Sequence, residues 1–177
     1  VSGAGTTIDG PHPAGLPEPR LDRECRVTRG RASGPGGQHR NKVETAVHIL
    51  HVPTGIEATA AERRSQAQNH HTARRRLRLK LARQVRAAVG PGRYEPSDLW
   101  RSRRQGEKLP VNPRHRDYPA LLAEALDVVA ARGFDVGGAA GALGVTMSQL
   151  ARLIRHDRHA FARLNEARTA RGLPALK

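Results

Sequence analysis

The chain has 177 residues, room for one ordinary domain or two small ones. It carries 31 Lys and Arg against 16 Asp and Glu, a formal charge of +15 at pH 7. So large a basic excess points to a polyanionic partner. With only 3% aromatic residues, base stacking is disfavoured as the mode of RNA recognition, and contacts to phosphate and shape are expected instead. The one cysteine, Cys25, excludes an internal disulfide and suits a reducing compartment. No apolar run reaches membrane-spanning length and the N-terminus lacks a secretion-type signal, so a cytoplasmic protein with no membrane partner is expected.

Taken in order, residues 1–20 are rich in Gly, Pro, Ser and Thr and are expected to be disordered. A small domain is expected over residues 21–88. Cys25 to Thr28 reads as a short strand leading into a glycine-rich loop. Residues 43–52 are apolar and β-branched and read as a second strand. Pro53-Thr54-Gly55 is a turn signature, and Ile56 to Ala60 returns as a third strand. From about Ser65 the pattern becomes helical. Ala73, Leu77, Leu81 and Val85 recur every four residues as one stripe to cover the sheet, while Arg74, Arg75 and Arg78 occupy other faces. Residues 89–116 mix Arg101, Arg103 and Arg104 with prolines and glycines and read as a basic, extended linker. A helical module is expected over 117–177. It opens with a helix from Tyr118 to Arg132, with Asp117 as N-cap and Pro119 near its start. Between Val136 and Ile154, Ala140, Gly144 and Thr146 or Ser148 are placed as in a helix-turn-helix unit; a three-helix bundle with an incidental turn fits nearly as well. The fold class is therefore α+β: a small sheet under one long helix, then a basic linker and an all-helical module.

The loop is the centre of the functional reading. In Arg31-Ala32-Ser33-Gly34-Pro35-Gly36-Gly37-Gln38, Gly36 and Gly37 permit φ > 0 and backbone contact with a ligand. Pro35 stiffens the entry. Arg31, Arg40 and Lys42 supply the positive charge a polyanion needs. This stretch, with Asn41-Lys42, Pro53-Thr54-Gly55-Ile56, Arg64-Ser65-Gln66 and Asn69, resembles the catalytic domain of class I peptide-chain release factors and their small ribosome-rescue relatives. The resemblance runs from about Asp22 to Val85.

That resemblance implies hydrolysis of the ester joining a nascent peptide to the 3′ ribose of transfer RNA, in the peptidyl-transferase centre. Gly36, Gly37 and Gln38 would be the catalytic residues, the Gln38 backbone N–H meeting the developing charge and its side chain admitting water. Arg31, Ser33, His39, Arg40, Asn41, Lys42, Arg74, Arg75, Arg78, Arg101, Arg103 and Arg104 would contact RNA. Arg40 departs from the family pattern, which has a small apolar residue there. The implied partners are large-subunit ribosomal RNA, P-site peptidyl-tRNA and the small subunit's messenger channel, which rescue relatives probe with a basic tail. Residues 74–116 carry 14 Arg and Lys against three Asp and Glu. About twenty loose leading residues cannot be a codon-reading domain, so codon-independent rescue is expected.

No cofactor or metal is implied. His70 and His71 are adjacent, pointing about 100° apart on a helix, and with Cys25 as the only thiol no ligand-spaced cluster arises. The competing reading is a non-enzymatic RNA- or DNA-binding protein that uses its helix-turn-helix-like module. The intact Gly36-Gly37-Gln38 argues against it.

Overall fold

The computed structural model describes residues 6–30, 45–90 and 94–177. In chain order these form β1 (Thr6–Ile8), a 3-10 turn (Pro13–Gly15), α1 (Glu18–Arg23), β2 (Cys25–Gly30), β3 (Ala46–His51), β4 (Ile56–Ala60), α2 (Gln66–Gln84) and β5 (Val85–Ala87). Then come α3 (Asp98–Arg103), α4 (Tyr118–Ala131), α5 (Val136–Leu143), α6 (Met147–Arg155) and α7 (Arg158–Thr169). The chain separates into two compact units, Leu16–Leu81 and Val1–Gly15 with Ala82–Lys177, and the division falls inside α2.

The first unit is built on an antiparallel sheet in the order β2-β3-β4. Strict alternation writes β3: Val47, Ile49 and His51 are buried while the residues between them are not. Ala58 and Ala60 continue the buried face on β4. Ala73, Leu77 and Leu81 of α2 are fully buried, as their spacing predicts. Burial stabilises each leucine by about 1.5–3 kcal/mol. His51 is 2% exposed yet satisfied, with Nδ1 at 2.7 Å from the Thr54 hydroxyl and Nε2 at 3.0 Å from Glu24. Gly55, at φ 68°, completes the turn that returns β4.

The second unit departs from expectation at three places. Residues 6–20 are not loose throughout: β1 pairs in parallel with β5, Thr6 opposite Val85, and Ala14 is buried, as is Leu16 of the first unit. The His12 ring ties this segment down, Nδ1 accepting from the Ala14 N–H and Nε2 donating to the Val85 carbonyl at 3.2 Å. Val85, the last member of the predicted stripe, is buried but belongs to β5. Residues 98–103, expected in an extended linker, form α3. Ser97 caps it, its hydroxyl accepting from the Trp100 N–H. The Trp100 indole is fully buried and donates to the Leu143 carbonyl at 2.9 Å.

The remaining helices follow local signals. Tyr118 and Pro119 start α4, but Asp117 makes no side-chain cap; its carboxylate is taken by Arg103. Gly144 ends α5 in the left-handed region at φ 67°. Thr146 opens α6, accepting from the Gln149 N–H. Asp157 likewise caps α7 through the Ala160 N–H. α7 falls within the all-helical module expected over residues 117–177, and Ala160, Leu164 and Arg168 are buried at four-residue spacing.

Candidate functional site

Arg31, Ser33, Gly36, Gly37, Gln38, His39, Arg40, Asn41 and Lys42 lie outside the described residues. The frame that carries them is described. Gly30, the last residue of β2, is in register with Ala46, the first of β3. The two ends of the loop segment are therefore joined across one rung of an antiparallel ladder.

A buried amide fixes the returning end. Asn69, in the first turns of α2, is fully buried. Its Nδ2 donates to the Thr45 carbonyl at 2.7 Å and the Arg63 carbonyl at 2.8 Å, and its Oδ1 accepts from the Arg63 N–H at 2.9 Å. One side chain thus ties the residue before β3 to the connection between β4 and α2. A buried amide keeps its place only if its donors and acceptor are satisfied, and three of those groups are satisfied here. The sequence marks Asn69 as part of a pattern, but only the fold shows what it holds.

The predicted RNA-contacting arginines of the helices are largely engaged within the protein. Arg74 donates to Glu18 at 3.0 Å and to Asp22 at 2.8 Å, bracing α1 against α2. Arg78 donates to the Leu16 carbonyl at 2.6 Å, and its burial lowers its pKa from the ordinary value. Arg75 is half-buried on the same helix. In the second unit Arg101 pairs with Asp98, Arg103 with Asp117, and Arg104 donates to the Gly144 carbonyl at 3.0 Å.

Other cations stand clear of carboxylates. Arg26 and Arg29 on β2, and Arg63 and Arg64 after β4, are exposed and have no carboxylate partner among the described residues. Ala60 is opposite Val47, and Gly30 is opposite Ala46, so Arg29, Arg63 and Arg64 leave the sheet at the loop end. Of the four, only Arg64 is marked in the sequence, within Arg64-Ser65-Gln66. Their signal was position relative to the strands, which becomes readable only once the register is known.

Neighbouring titratable groups are not suited to chemistry of their own. Burial, reinforced by Asp22 and Glu24, pushes the Cys25 thiol up to about 11, so it is a poor nucleophile at neutral pH. Burial, then Arg74, lowers the pKa of His70. Among the described residues no group of three or more His, Cys, Asp or Glu is placed to hold a metal, and no helix is long and apolar enough to cross a membrane.

A small antiparallel sheet accompanied by one long helix, whose Arg76 and Lys80 donate to β4 carbonyls, has a Gly-Gly-Gln segment between its first two strands. Residues 21–107 match the RF-1 domain family, so this segment is similar to the RF-1 domains of class I release factors. The chain is 49% identical over 72 residues to peptide chain release factor 1 of Acidiphilium cryptum, a match covering 41% of this chain and 20% of that protein. It is 52% identical over 58 residues to peptide chain release factor 1 of Ureaplasma parvum, 33% of this chain and 16% of that one. It is 50% identical over 60 residues to peptide chain release factor 2 of Thermomicrobium roseum, 34% and 16% respectively. The matched stretch therefore spans no more than about a fifth of these relatives.

Proposed function

We propose that this chain releases peptides from stalled ribosomes, hydrolysing the ester of P-site peptidyl-tRNA without reading a stop codon. The observation that carries the reading is the RF-1 domain match over residues 21–107 with Gly36-Gly37-Gln38 inside it. An aminoacyl ester is already activated, so the catalyst chiefly places water and stabilises charge. Positioning supplies about 7–11 kcal/mol in favourable cases, and an oriented backbone N–H is a suitable oxyanion donor. Gln38 fills both roles in this reading, through its backbone N–H and its water-admitting side chain. The frame at Gly30, Ala46 and Asn69 fixes where that segment leaves and re-enters the sheet. Codon independence fits the chain's formal charge of +15, since phosphate contacts bind without conveying sequence.

The test is peptide release from purified ribosomes stalled on a message with no stop codon. Wild type is expected to release peptide at equal rates with or without a stop codon in the decoding site. Gly37→Ala is expected to slow release by about 100-fold or more, the effect of losing one oxyanion donor, while still binding ribosomes. Absence of release from every stalled complex, with binding intact, would refute the hydrolase.

A further inference from the structure

Within the second unit, residues 108–112 and α6 line a groove of about 530 Å³. It lies beyond residues 21–107, so the family match assigns it nothing. Its polar lining is Lys108, Asn112, Gln149, Arg152 and His156, with no aspartate or glutamate. Leu109 and Leu153, 5% and 3% exposed, give it an apolar floor.

The amides are oriented by the backbone. Gln149 Oε1 accepts from the Leu109 N–H at 3.4 Å, and Asn112 Oδ1 accepts from the Arg114 N–H at 2.8 Å. An amide whose oxygen is engaged leaves its NH2 for another partner. Lys108 and Arg152 are exposed and have no carboxylate partner among the described residues. Other cations of the same unit meet carboxylates: Arg83 meets Asp157 at 3.0 Å and Arg86 meets Asp127 at 3.1 Å. The His156 ring is set edge-on against Tyr118, centroids 6.4 Å apart, and the Tyr118 hydroxyl donates to the Leu153 carbonyl at 3.1 Å, which steadies this wall.

Side chains that offer donors and positive charge over an apolar floor suit an acceptor-rich anion with apolar surface. We propose that this groove binds the phosphodiester backbone of a single RNA strand. Its volume fits a nucleotide-sized ligand better than a bare ion. A concave site admits one strand, whereas duplex reading needs an element that protrudes into the nucleic acid's groove. The preference for RNA over DNA rests on the ribosomal reading above; the phosphodiester assignment does not.

The test is fluorescence anisotropy of the full chain with a labelled 12-nucleotide single-stranded RNA, titrated at several salt concentrations. It needs no ribosome, so its result is independent of the release assay. Each phosphate contact to a single strand contributes about 0.7 to the log–log salt slope. Lys108→Gln with Arg152→Gln is therefore expected to make the slope shallower by about 1.4 and to weaken binding about 20-fold at 0.1 M salt. The control pair Arg132→Gln with Arg158→Gln removes equal charge away from the groove and is expected to cost less than about threefold. The charge-preserving pair Lys108→Arg with Arg152→Lys, expected to bind as wild type, separates loss of contact from loss of fold. Equal losses for the groove and control pairs would overturn the proposal. So would 4-thiouridine crosslinks confined to peptides outside residues 108–112 and 147–156, or equal displacement of RNA by polyglutamate at matched charge. Tighter binding of the same sequence as DNA would overturn the RNA assignment.

Discussion

Replacing Asn69 is the sharpest test of how the loop segment is held. Asn69→Ala removes three hydrogen bonds, at 2.7, 2.8 and 2.9 Å, from a fully buried site. Each is worth about 1 kcal/mol net. Their partners belong to Thr45, which is half-buried, and to Arg63, which is exposed, so water can resolvate part of what is lost. The expected cost is about 3 kcal/mol, read as a lower urea midpoint at unchanged m-value. Asn69→Asp is the stricter variant. It can still accept from the Arg63 N–H, but sets a carboxylate oxygen against two carbonyls. Repulsion and burial raise the folded-state pKa of that carboxyl above its unfolded value. Its stability should therefore be greatest at acid pH and fall as pH rises toward the folded pKa, leaving Asp worse than Ala at pH 8 and closer to wild type at pH 5. Peptide release by still-folded Asn69→Ala should drop as well, because Thr45 directly precedes β3. A cost for Ala below about 0.5 kcal/mol, or an Asp variant no more pH-sensitive than wild type, would refute the anchoring role assigned here.

Two further outcomes are expected in the second unit. Gly144→Ala forces a side chain into a backbone at φ 67° and sets its methyl against the Arg104 guanidinium. The predicted loss is about 1–2 kcal/mol, or several degrees of melting temperature by circular dichroism, with Gly144→Asn milder; an unchanged melting curve would contradict it. Asp127, 5% exposed, has its pKa raised to about 7 by burial, which the paired Arg86 only partly offsets. A carboxyl whose folded pKa is raised loses stability as pH climbs from its unfolded value to the folded one. Wild type should thus lose ground to Asp127→Asn between about pH 4 and pH 7, measured as the difference in unfolding free energy across that range, and a flat difference would sink this account.

Where a local pattern decides the structure, the sequence reveals it. Val47, Ile49 and His51 alternate, and Ala73, Leu77 and Leu81 repeat every four residues; both patterns match what is buried. Val85 shows the limit. It continues the helical stripe but pairs as a strand with Thr6, a parallel partner far away in sequence that no local window contains. β1 was missed for the same reason. α3 and α7 carry local signals, Ser97 and Asp157 as N-caps, but around α3 prolines and arginines give the pattern of an extended linker. The candidate site divides along the same line. Residue types picked out Gly36-Gly37-Gln38, whereas the arginines look alike in sequence. Only the fold separates Arg74, held by Glu18 and Asp22, from Arg29 and Arg63, which face no carboxylate among the described residues.

The pairing of Gly30 with Ala46 also bears on how such a domain changes over time. A segment that leaves and re-enters a sheet across one rung adds little to the folding free energy when its length changes, since each doubling costs only about 0.6 kcal/mol. For the stretch between residues 30 and 46, the cost of bringing its two ends together is thus a weak constraint on its length. The same seam is a natural splice point. A segment from another release factor, grafted between those two residues, would meet a base already built to receive it.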